Sequence, residues 1–168
     1  WNANKLRQKD IDARWTKKND ETHFGYKNHV CADVKNKVIR NYSVTAANVH
    51  DSQVFKEFFP TAKLNGTKSV YADSAYKSEQ IENELSKSGL RSRVIAKGYR
   101  NKALTTPQKL RNRLLSSKRA RIEHLFGRMK QLKMDTLRCI GIARASVRIG
   151  LANLVYNMDR YAALGGRA

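Results

Sequence analysis

Two acidic residues in this sequence lie in surroundings that suggest metal chemistry. Asp73 follows a short apolar run in VYADSAY, and Glu123 lies among cationic residues in KRARIEHLFGRMK. Carboxylates that converge on Mg²⁺ or Mn²⁺ permit phosphodiester cleavage, because the metal activates a nucleophile and stabilises the leaving oxygen. Arg119 and Lys130 lie on the same predicted helix as Glu123 and could bind phosphate groups. These four residues are therefore candidates for a metal-dependent reaction on nucleic acid.

Each acid also has a structural interpretation. Asp73 could form a turn or cap the following helix, and the sequence supports this about as well as a functional role. Glu123 lies four residues after Arg119, so the two could form a helix-surface ion pair worth about 0.3–0.5 kcal/mol. Helical geometry places Arg119 about 40° and Lys130 about 20° from Glu123, which gives one polar stripe. The ion pair does not explain why one carboxylate remains beside the apolar face among so many cations.

The charge of the chain indicates a polyanionic partner. There are 34 Lys and Arg residues against 14 Asp and Glu, a formal charge of +20. This excess repels itself unless a polyanion neutralises it, so nucleic acid is the leading candidate. No acid occurs from Leu90 to Ile122, although a merely solvated surface usually contains acids as well. The cations of this basic region are Arg91, Arg93, Lys97, Arg100, Lys102, Lys109, Arg111 and Arg113.

The elements that must position these residues are predicted from hydrophobic periodicity. After a polar arm over 1–22, the predicted segments are strands at 23–34 and 37–48, a helix at 50–59, a strand at 68–76, a helix at 77–89, a strand at 90–98, a helix from 106 past 130, and a helix at 143–164. This order predicts one α/β domain with a mixed sheet. Asp73 then lies at a strand end, where α/β folds assemble sites.

The boundaries of several elements have local signals. The polar KNK at 35–37 predicts a hairpin between the first two strands. Asp51 or Ser52 could cap the first predicted helix, and Pro60 is expected to end it. Thr106 is expected to cap the long helix that carries Glu123, because a proline that suits a first helical turn follows it.

Cysteine usage and hydropathy limit the class of protein. Cys31 and Cys139 are far apart in the sequence and lack partners for a zinc site, so we expect free thiols in a reducing compartment. The sequence has no apolar run of about 18 residues and no visible signal peptide. We therefore expect no membrane partner and a cytoplasmic location.

Several segments resemble one protein family. RARIEHLFGRMK resembles the R-x3-E-x6-K signature of DDE transposases from bacterial insertion sequences, with Arg119, Glu123 and Lys130 at its three positions. VYADSAY resembles the strand that carries the second aspartate of the family, which is Asp73 here. DARWTKKN, FGYKNHV and VTAANVHDSQ are similar to segments of the insertion-sequence-5 type, and RCIGIARASVRIGLANLVYNMDR resembles its C-terminal helix. The resemblance covers nearly the whole chain.

The resemblance implies a fold and an activity. The fold would be RNase H-like, a mixed sheet flanked by helices. Asp73 and Glu123 would be catalytic ligands in a site for two divalent metals, normally Mg²⁺. The enzyme would hydrolyse a strand at the transposon end, and the freed 3′-hydroxyl would attack target DNA. Arg119 and Lys130 would bind phosphates near that end, and a dimer on DNA would pair two ends.

Further candidate DNA contacts carry less weight. Arg121 and Arg128 lie in the same basic segment as Glu123, and His50 matches part of the family pattern. Tyr26, Lys27 and His29 alternate along a predicted strand, so either a surface strand or a DNA-facing strand explains them. Trp15 could stack on a base, although core packing is the commoner role of tryptophan.

The chain departs from the family in two places. The signature often has a tyrosine three residues before its arginine, where this chain has Ser116. The first metal-binding aspartate of the family belongs to the first strand, upstream of DARWTKKN, and Asp10, Asp12 and Asp20 lie in polar sequence without such a strand. We therefore expect a catalytic domain truncated at its N-terminus, which lacks its first strand and is catalytically incomplete.

Three functions remain open at this point. The leading one is a DDE transposase catalytic domain, with a core at 23–104 and C-terminal helices at 105–168. An RNase H-like nuclease would share the metal chemistry and lack strand transfer. A non-catalytic DNA- or RNA-binding module would keep the cations without the chemistry.

Overall fold

The computed structural model describes residues 2–18, 20–64, 66–100 and 103–165, and it has the predicted α/β class. Its elements in chain order are α1 (Ala3–Arg7), β1 (Arg14–Lys18), β2 (Glu21–Ala32), β3 (Ile39–Ala46), α2 (Asp51–Phe55), a 3₁₀ turn (Lys56–Phe58), α3 (Phe59–Leu64), β4 (Ser69–Ala72), a 3₁₀ turn (Ser74–Tyr76), α4 (Glu79–Lys87), β5 (Arg91–Val94), α5 (Thr106–Gln131) and α6 (Ile142–Gly165). The chain forms two compact units, Trp1–His50 with Phe126–Ala168 and Asp51–Leu125.

The strands of the described residues form two sheets instead of one mixed sheet. In the first unit β1, β2 and β3 pair antiparallel in that order, and in the second unit β4 and β5 pair parallel. A mixed sheet needs a strand with an antiparallel neighbour on one side and a parallel neighbour on the other. No described strand is paired in this way.

The segment 1–22, expected as a polar arm, contains α1 and β1. β1 is a strand because its backbone pairs with the beginning of β2 across a tight turn in which Asp20 has a φ of 64°. Its side chains contribute little apolar burial, since Trp15 is 64% exposed. A strand held mainly by backbone pairing shows no apolar alternation, and the sequence pattern therefore did not reveal it.

Helix α6 is attached to the β2–β3 hairpin of the first unit by polar side chains. The buried Asn153 exchanges amide hydrogen bonds of 2.8 and 3.3 Å with Asn28. Asn157 accepts from the Ile39 amide and donates to its carbonyl, both at 2.9 Å. The predicted hairpin turn is confirmed, and the Tyr156 hydroxyl donates to the carbonyl of Lys37 within it.

The second unit has its core beneath the parallel strands β4 and β5. Helix α4 connects the strands, and Ser78 caps it by accepting the Ile81 amide. The apolar cluster consists of Phe55, Phe59, Ala62, Ala72, Ile81, Leu85, Leu90 and Val94. This core holds the end of β4, where Asp73 follows Ala72.

Two predicted boundaries were wrong. Pro60 does not end a helix, since the helical path is already interrupted by the 3₁₀ turn and Pro60 lies in the first turn of α3, where its missing N–H costs no bond. Thr106 is the first residue of α5, and Thr105 is its cap. The Thr105 hydroxyl accepts the Gln108 amide, and the Gln108 side chain accepts the Thr105 amide at 3.0 Å, a reciprocal capping box.

Asp10 and Asp12 hold the N-terminus of α6. Asp10 accepts the Gly141 amide at 3.1 Å and the Tyr26 hydroxyl at 2.6 Å, and Asp12 accepts the Ile142 amide at 3.0 Å. Partial burial alone would raise the pKa of Asp10. The hydrogen bonds from Tyr26 and the nearby amides outweigh burial, and the net pKa is below its ordinary value.

We expect Asp10→Asn to lower the free energy of unfolding by about 1 kcal/mol at pH 7, because a charged acceptor at a helix N-terminus is lost and solvent screens part of its effect. A carboxylate whose pKa is lower in the folded state than in the unfolded state stabilises the fold at pH values above the unfolded pKa of about 4. This stabilisation is lost as the pH falls through the pKa of the folded state. Urea unfolding at pH 7 and pH 3 should show the difference between wild type and variant shrinking in acid. The control is Asp20→Asn, whose side chain is 95% exposed.

Candidate active site

Asp73 follows strand β4 in extended conformation and caps the short 3₁₀ turn after it. Its Oδ1 accepts the Ala75 amide at 2.9 Å. The structural interpretation of Asp73 is therefore correct as far as one oxygen is concerned. The other oxygen, Oδ2, faces Arg119 instead. Capping fixes the orientation of the carboxylate and leaves Oδ2 available for a cation.

Arg119 lies between the two candidate carboxylates. Its Nη2 is 2.8 Å from Oε1 of Glu123, and its Nη1 is 3.9 Å from Oδ2 of Asp73. The ion pair expected from the helical spacing is present. Because the side chains are 34% (Arg119), 43% (Asp73) and 60% (Glu123) exposed, solvent screens both contacts and each contributes little to stability.

The position of Arg119 between Asp73 and Glu123 contributes little stability, but it shows that the two carboxylates converge on one point. A strand end and a helix bring two carboxylates to one positive group, all within the second unit. Nε of Arg119 is buried and has no hydrogen-bond partner among the described residues. The guanidinium is therefore held by its terminal nitrogens, in the place where the two carboxylates could share a cation.

The donor set fits part of a hard-metal site. Carboxylate oxygens are the ligands that Mg²⁺ and Mn²⁺ prefer, and Asp73 and Glu123 supply them. Across the described ranges, no group of three or more His, Cys, Asp or Glu side chains is placed to hold a metal. Asp10 and Asp12 are committed to the N-terminus of α6 in the other unit.

The remaining predicted DNA contacts lie in different parts of the chain. Arg121 is half-buried in the second unit. His50 and Lys130 are exposed and belong to the first unit. Arg128, also in the first unit, makes a bidentate pair with Asp159 at 2.9 and 2.6 Å, which raises the pKa of Arg128 and lowers that of Asp159.

Most described cations of the basic region are exposed on the second unit, while Lys102 lies outside the described residues. Arg111 donates to the carbonyl of Val94 at 3.3 Å, at the end of β5. The exposed members are Arg91, Lys97, Arg100, Lys109, Arg111 and Arg113. Because these side chains are exposed, they are accessible to the phosphate groups of a nucleic acid.

The aromatic and strand candidates of the first unit divide into exposed and structural residues. Trp15 is 64% exposed and packs on Phe24 with ring centroids 5.0 Å apart, so it is not a core residue. His29 is buried and hydrogen-bonded to Thr45, and Tyr26 is bound to Asp10. Tyr26 and His29 therefore have structural partners.

The second contact of Arg119 is the feature that the sequence did not show. The spacing of Arg119 and Glu123 predicts their ion pair, but no spacing relates Arg119 to Asp73, which is distant in the chain. Their contact depends on how β4 and α5 pack within the second unit. A candidate site built from two elements is recognisable only in the folded structure.

Two other observations concern features outside the candidate site. Cys31 and Cys139 are free, as expected, and burial raises the pKa of the Cys31 thiol. Within the described residues, none of the helices combines the length and the apolar character that crossing a bilayer requires.

Comparison with known proteins identifies the family. The family described as "Transposase DDE domain" matches residues 4–158. The chain is also similar to the transposase for insertion sequence element IS1106 of Neisseria meningitidis serogroup B, with 30% identity over 151 residues. That match covers 89% of this chain and 51% of the relative, so the chain spans about half the relative's length. No solved structure is significantly similar. The chain belongs to the transposase DDE domain family.

Proposed function

We propose that this chain is part of a DNA transposase that cleaves strands at the ends of an insertion sequence and transfers the freed 3′-hydroxyl to target DNA. The observation that carries the proposal is the convergence of Asp73 and Glu123 on one guanidinium, in a chain of the transposase DDE domain family. The relative from Neisseria supports the same activity, since its name describes an insertion-sequence transposase.

Asp73 and Glu123 are proposed to hold a divalent cation, Mg²⁺ or Mn²⁺, in a site that takes two metals when complete. Such a cation, when bound, lowers the pKa of a water or hydroxyl nucleophile and neutralises charge on the leaving oxygen. Oδ2 of Asp73 and Oε1 of Glu123 are the oxygens that now face Arg119. The Ala75 amide keeps the Asp73 carboxylate oriented through its other oxygen.

Arg119 is proposed to change partners during the reaction. With no cation bound, its guanidinium balances the charge of both carboxylates. If a bound cation balanced that charge, the guanidinium would be free to donate to a DNA phosphate beside the reacting bond, where its planar donors suit phosphate oxygens.

The remaining ligand and the finer fold belong to the same proposal. An RNase H-like sheet requires a strand with parallel and antiparallel neighbours, and we propose that the family's first strand supplies it together with the first aspartate. This strand would lie upstream of the segment DARWTKKN. Support comes from the two carboxylates at the candidate site and from the commitment of Asp10 and Asp12 to helix α6.

DNA binding is proposed to use the cations of both units and a dimer on DNA that pairs two transposon ends. Arg119, Arg121 and Lys130 are the proposed contacts of the signature region, and His50 is a proposed contact outside it. Arg128 is expected to contribute less than Lys130, because it must first give up its bidentate pair with Asp159. The basic region adds sequence-independent phosphate contacts.

A binding-only function is the second candidate, because the described residues present two carboxylates where the chemistry needs three. A strand-cleavage assay separates the two functions. The substrate is labelled duplex DNA that spans one end of the insertion sequence, with Mg²⁺ or Mn²⁺ and an EDTA control. We expect residues 1–168 to bind this DNA with little or no cleavage, and the protein extended through its first aspartate to cleave it.

The possible outcomes are distinct. Efficient cleavage by residues 1–168 alone would contradict the proposed upstream ligand. DNA binding without metal, together with no cleavage even by the extended protein, would establish the binding-only function. Strand transfer to a second DNA distinguishes a transposase from an RNase H-like nuclease. Salt titration does not discriminate, because every one of these proteins loses DNA affinity as salt rises.

A further inference from the structure

Helix α6 is apolar on two faces, and the described residues cover only one of them. The covered face carries Ala145, Ile149, Asn153 and Tyr156, all of them buried, and the helix contacts strands β2 and β3 of the first unit. A helix at the surface of a globular unit normally exposes polar residues on its outer face. The outer face of α6 instead carries large apolar side chains, which are Val147 (65% exposed), Leu151 (57%), Leu154 (54%), Val155 (44%), Met158 (63%) and Tyr161 (78%).

The spacing of these residues is that of a coiled-coil seam. Val147, Leu151, Leu154, Met158 and Tyr161 follow one another at intervals of four, three, four and three residues. Apolar residues at this alternating interval form the contact stripe of paired helices, because it averages 3.5 residues per turn. We call these five residues the α6 seam. A seam of this kind fits the same kind of surface on another helix.

Charge is nearly absent from the α6 seam, although the chain has a net charge of +20. Between Val147 and Tyr161 the charged residues are Arg148, Asp159 and Arg160. Asp159 is paired with Arg128, and Arg160 donates to the carbonyl of Asn36 at 2.7 Å, so both are held within the first unit. A surface depleted of charge at its centre is characteristic of a protein interface and unsuited to a nucleic-acid contact.

We propose that the α6 seam packs antiparallel against the α6 seam of a second copy of this chain. The six exposed apolar residues present on the order of 700 Å² per copy, close to the roughly 800 Å² that each partner buries in a stable interface. A two-fold axis near Leu154 would place Val147 of each copy against Tyr161 of the other. Identical surfaces meet in such an interface, so one seam supplies both sides.

The antiparallel direction follows from the charges at the two ends of α6. Arg144 and Arg148 lie in the first turns, where the helix dipole is positive. Parallel pairing would bring these arginines against their own copies. Antiparallel pairing brings them to the negative end of the partner helix. This dimer does not require DNA or the Asp73–Glu123 site, and it therefore stands or falls separately from the proposed function.

Sedimentation equilibrium of residues 1–168 tests the interface. Nuclease-treated protein is measured in about 0.5 M salt, which removes nucleic-acid bridging. We expect twice the 19.2 kDa mass of the chain. Leu154→Glu should weaken association on the order of 100-fold and yield monomers with an unchanged circular dichroism spectrum. The matched control Leu114→Glu, at a residue 65% exposed on α5, should remain dimeric. A monomeric wild type at about 100 μM overturns the proposal.

Disulfide cross-linking tests the direction, in a background that carries Cys31→Ser and Cys139→Ser. Leu154→Cys should cross-link to its own copy under mild oxidation. Val147→Cys should cross-link when mixed with Tyr161→Cys and fail to cross-link alone. A cross-link of Val147→Cys to itself, without one in the mixture, overturns the antiparallel arrangement. Absence of every cross-link, with a dimer still present, overturns the α6 seam as its interface.

Discussion

Glu123→Gln is expected to lower the metal-dependent cleavage rate of the extended, complete protein by on the order of 10³-fold, equivalent to about 4 kcal/mol of transition-state stabilisation. The amide keeps the size of the side chain but replaces an anionic oxygen with a neutral one, which is a poor ligand for Mg²⁺. The measurement is single-turnover cleavage of DNA that spans one end of the insertion sequence. Glu57→Gln is the matched control, since Glu57 is an exposed glutamate of the same unit and makes no contact with Arg119 among those described.

The ion pair with Arg119 complicates this experiment, because Glu123→Gln removes a salt bridge together with the proposed ligand. Arg119→Gln removes the same salt bridge and keeps both carboxylates. Mn²⁺ binding to the complete protein should fall in Glu123→Gln and stay equal or become tighter in Arg119→Gln, because the competing guanidinium is gone. DNA affinity should fall in Arg119→Gln. Equal losses of Mn²⁺ binding in the two variants would contradict the assignment of Glu123 as a ligand, because loss of the ion pair alone would then account for the effect.

Local signals predicted most of the elements that surround the site. The β2–β3 hairpin, the strand before Asp73, the long helix and the last helix all agree with the structure, because each has a strong periodic pattern or a turn signal. The helix predicted at 50–59 is divided by a 3₁₀ turn instead. The capping rules located the start of α5 correctly but predicted Thr106 as its cap, whereas the cap is the neighbouring Thr105.

Contacts between residues distant in sequence could not be predicted. Asp10 and Asp12 lie in polar sequence with no pattern, and their partners at Gly141 and Ile142 are set by the packing of the first unit. The approach of Asp73 to Arg119 is of the same kind. The spacing within α5 was sufficient for the Arg119–Glu123 pair, since a helix fixes neighbours four residues apart without any tertiary information.

Leu85→Ala is expected to destabilise the second unit by about 2–5 kcal/mol, the cost of an unfilled cavity in a packed core. Leu85 is 0% exposed and belongs to the same apolar cluster as Ala72, which directly precedes Asp73. A typical domain is stable by only about 5–15 kcal/mol, so this loss is large. The control is Leu114→Ala, at a residue 65% exposed in the same unit, which should change stability by less than about 0.5 kcal/mol.

Hydrogen exchange measured by mass spectrometry gives the local readout that this prediction needs. In Leu85→Ala, peptides covering α4 and β5 should exchange faster, because opening of the second unit costs less free energy. Urea unfolding by circular dichroism gives the size of the loss. The cluster also holds the end of β4, so Leu85→Ala should affect Mn²⁺ binding only through opening of the second unit. The loss of binding should equal the fraction of molecules in which this unit is open. A loss of binding in a variant whose exchange is unchanged would mean that Leu85 supports the site by some route other than the core.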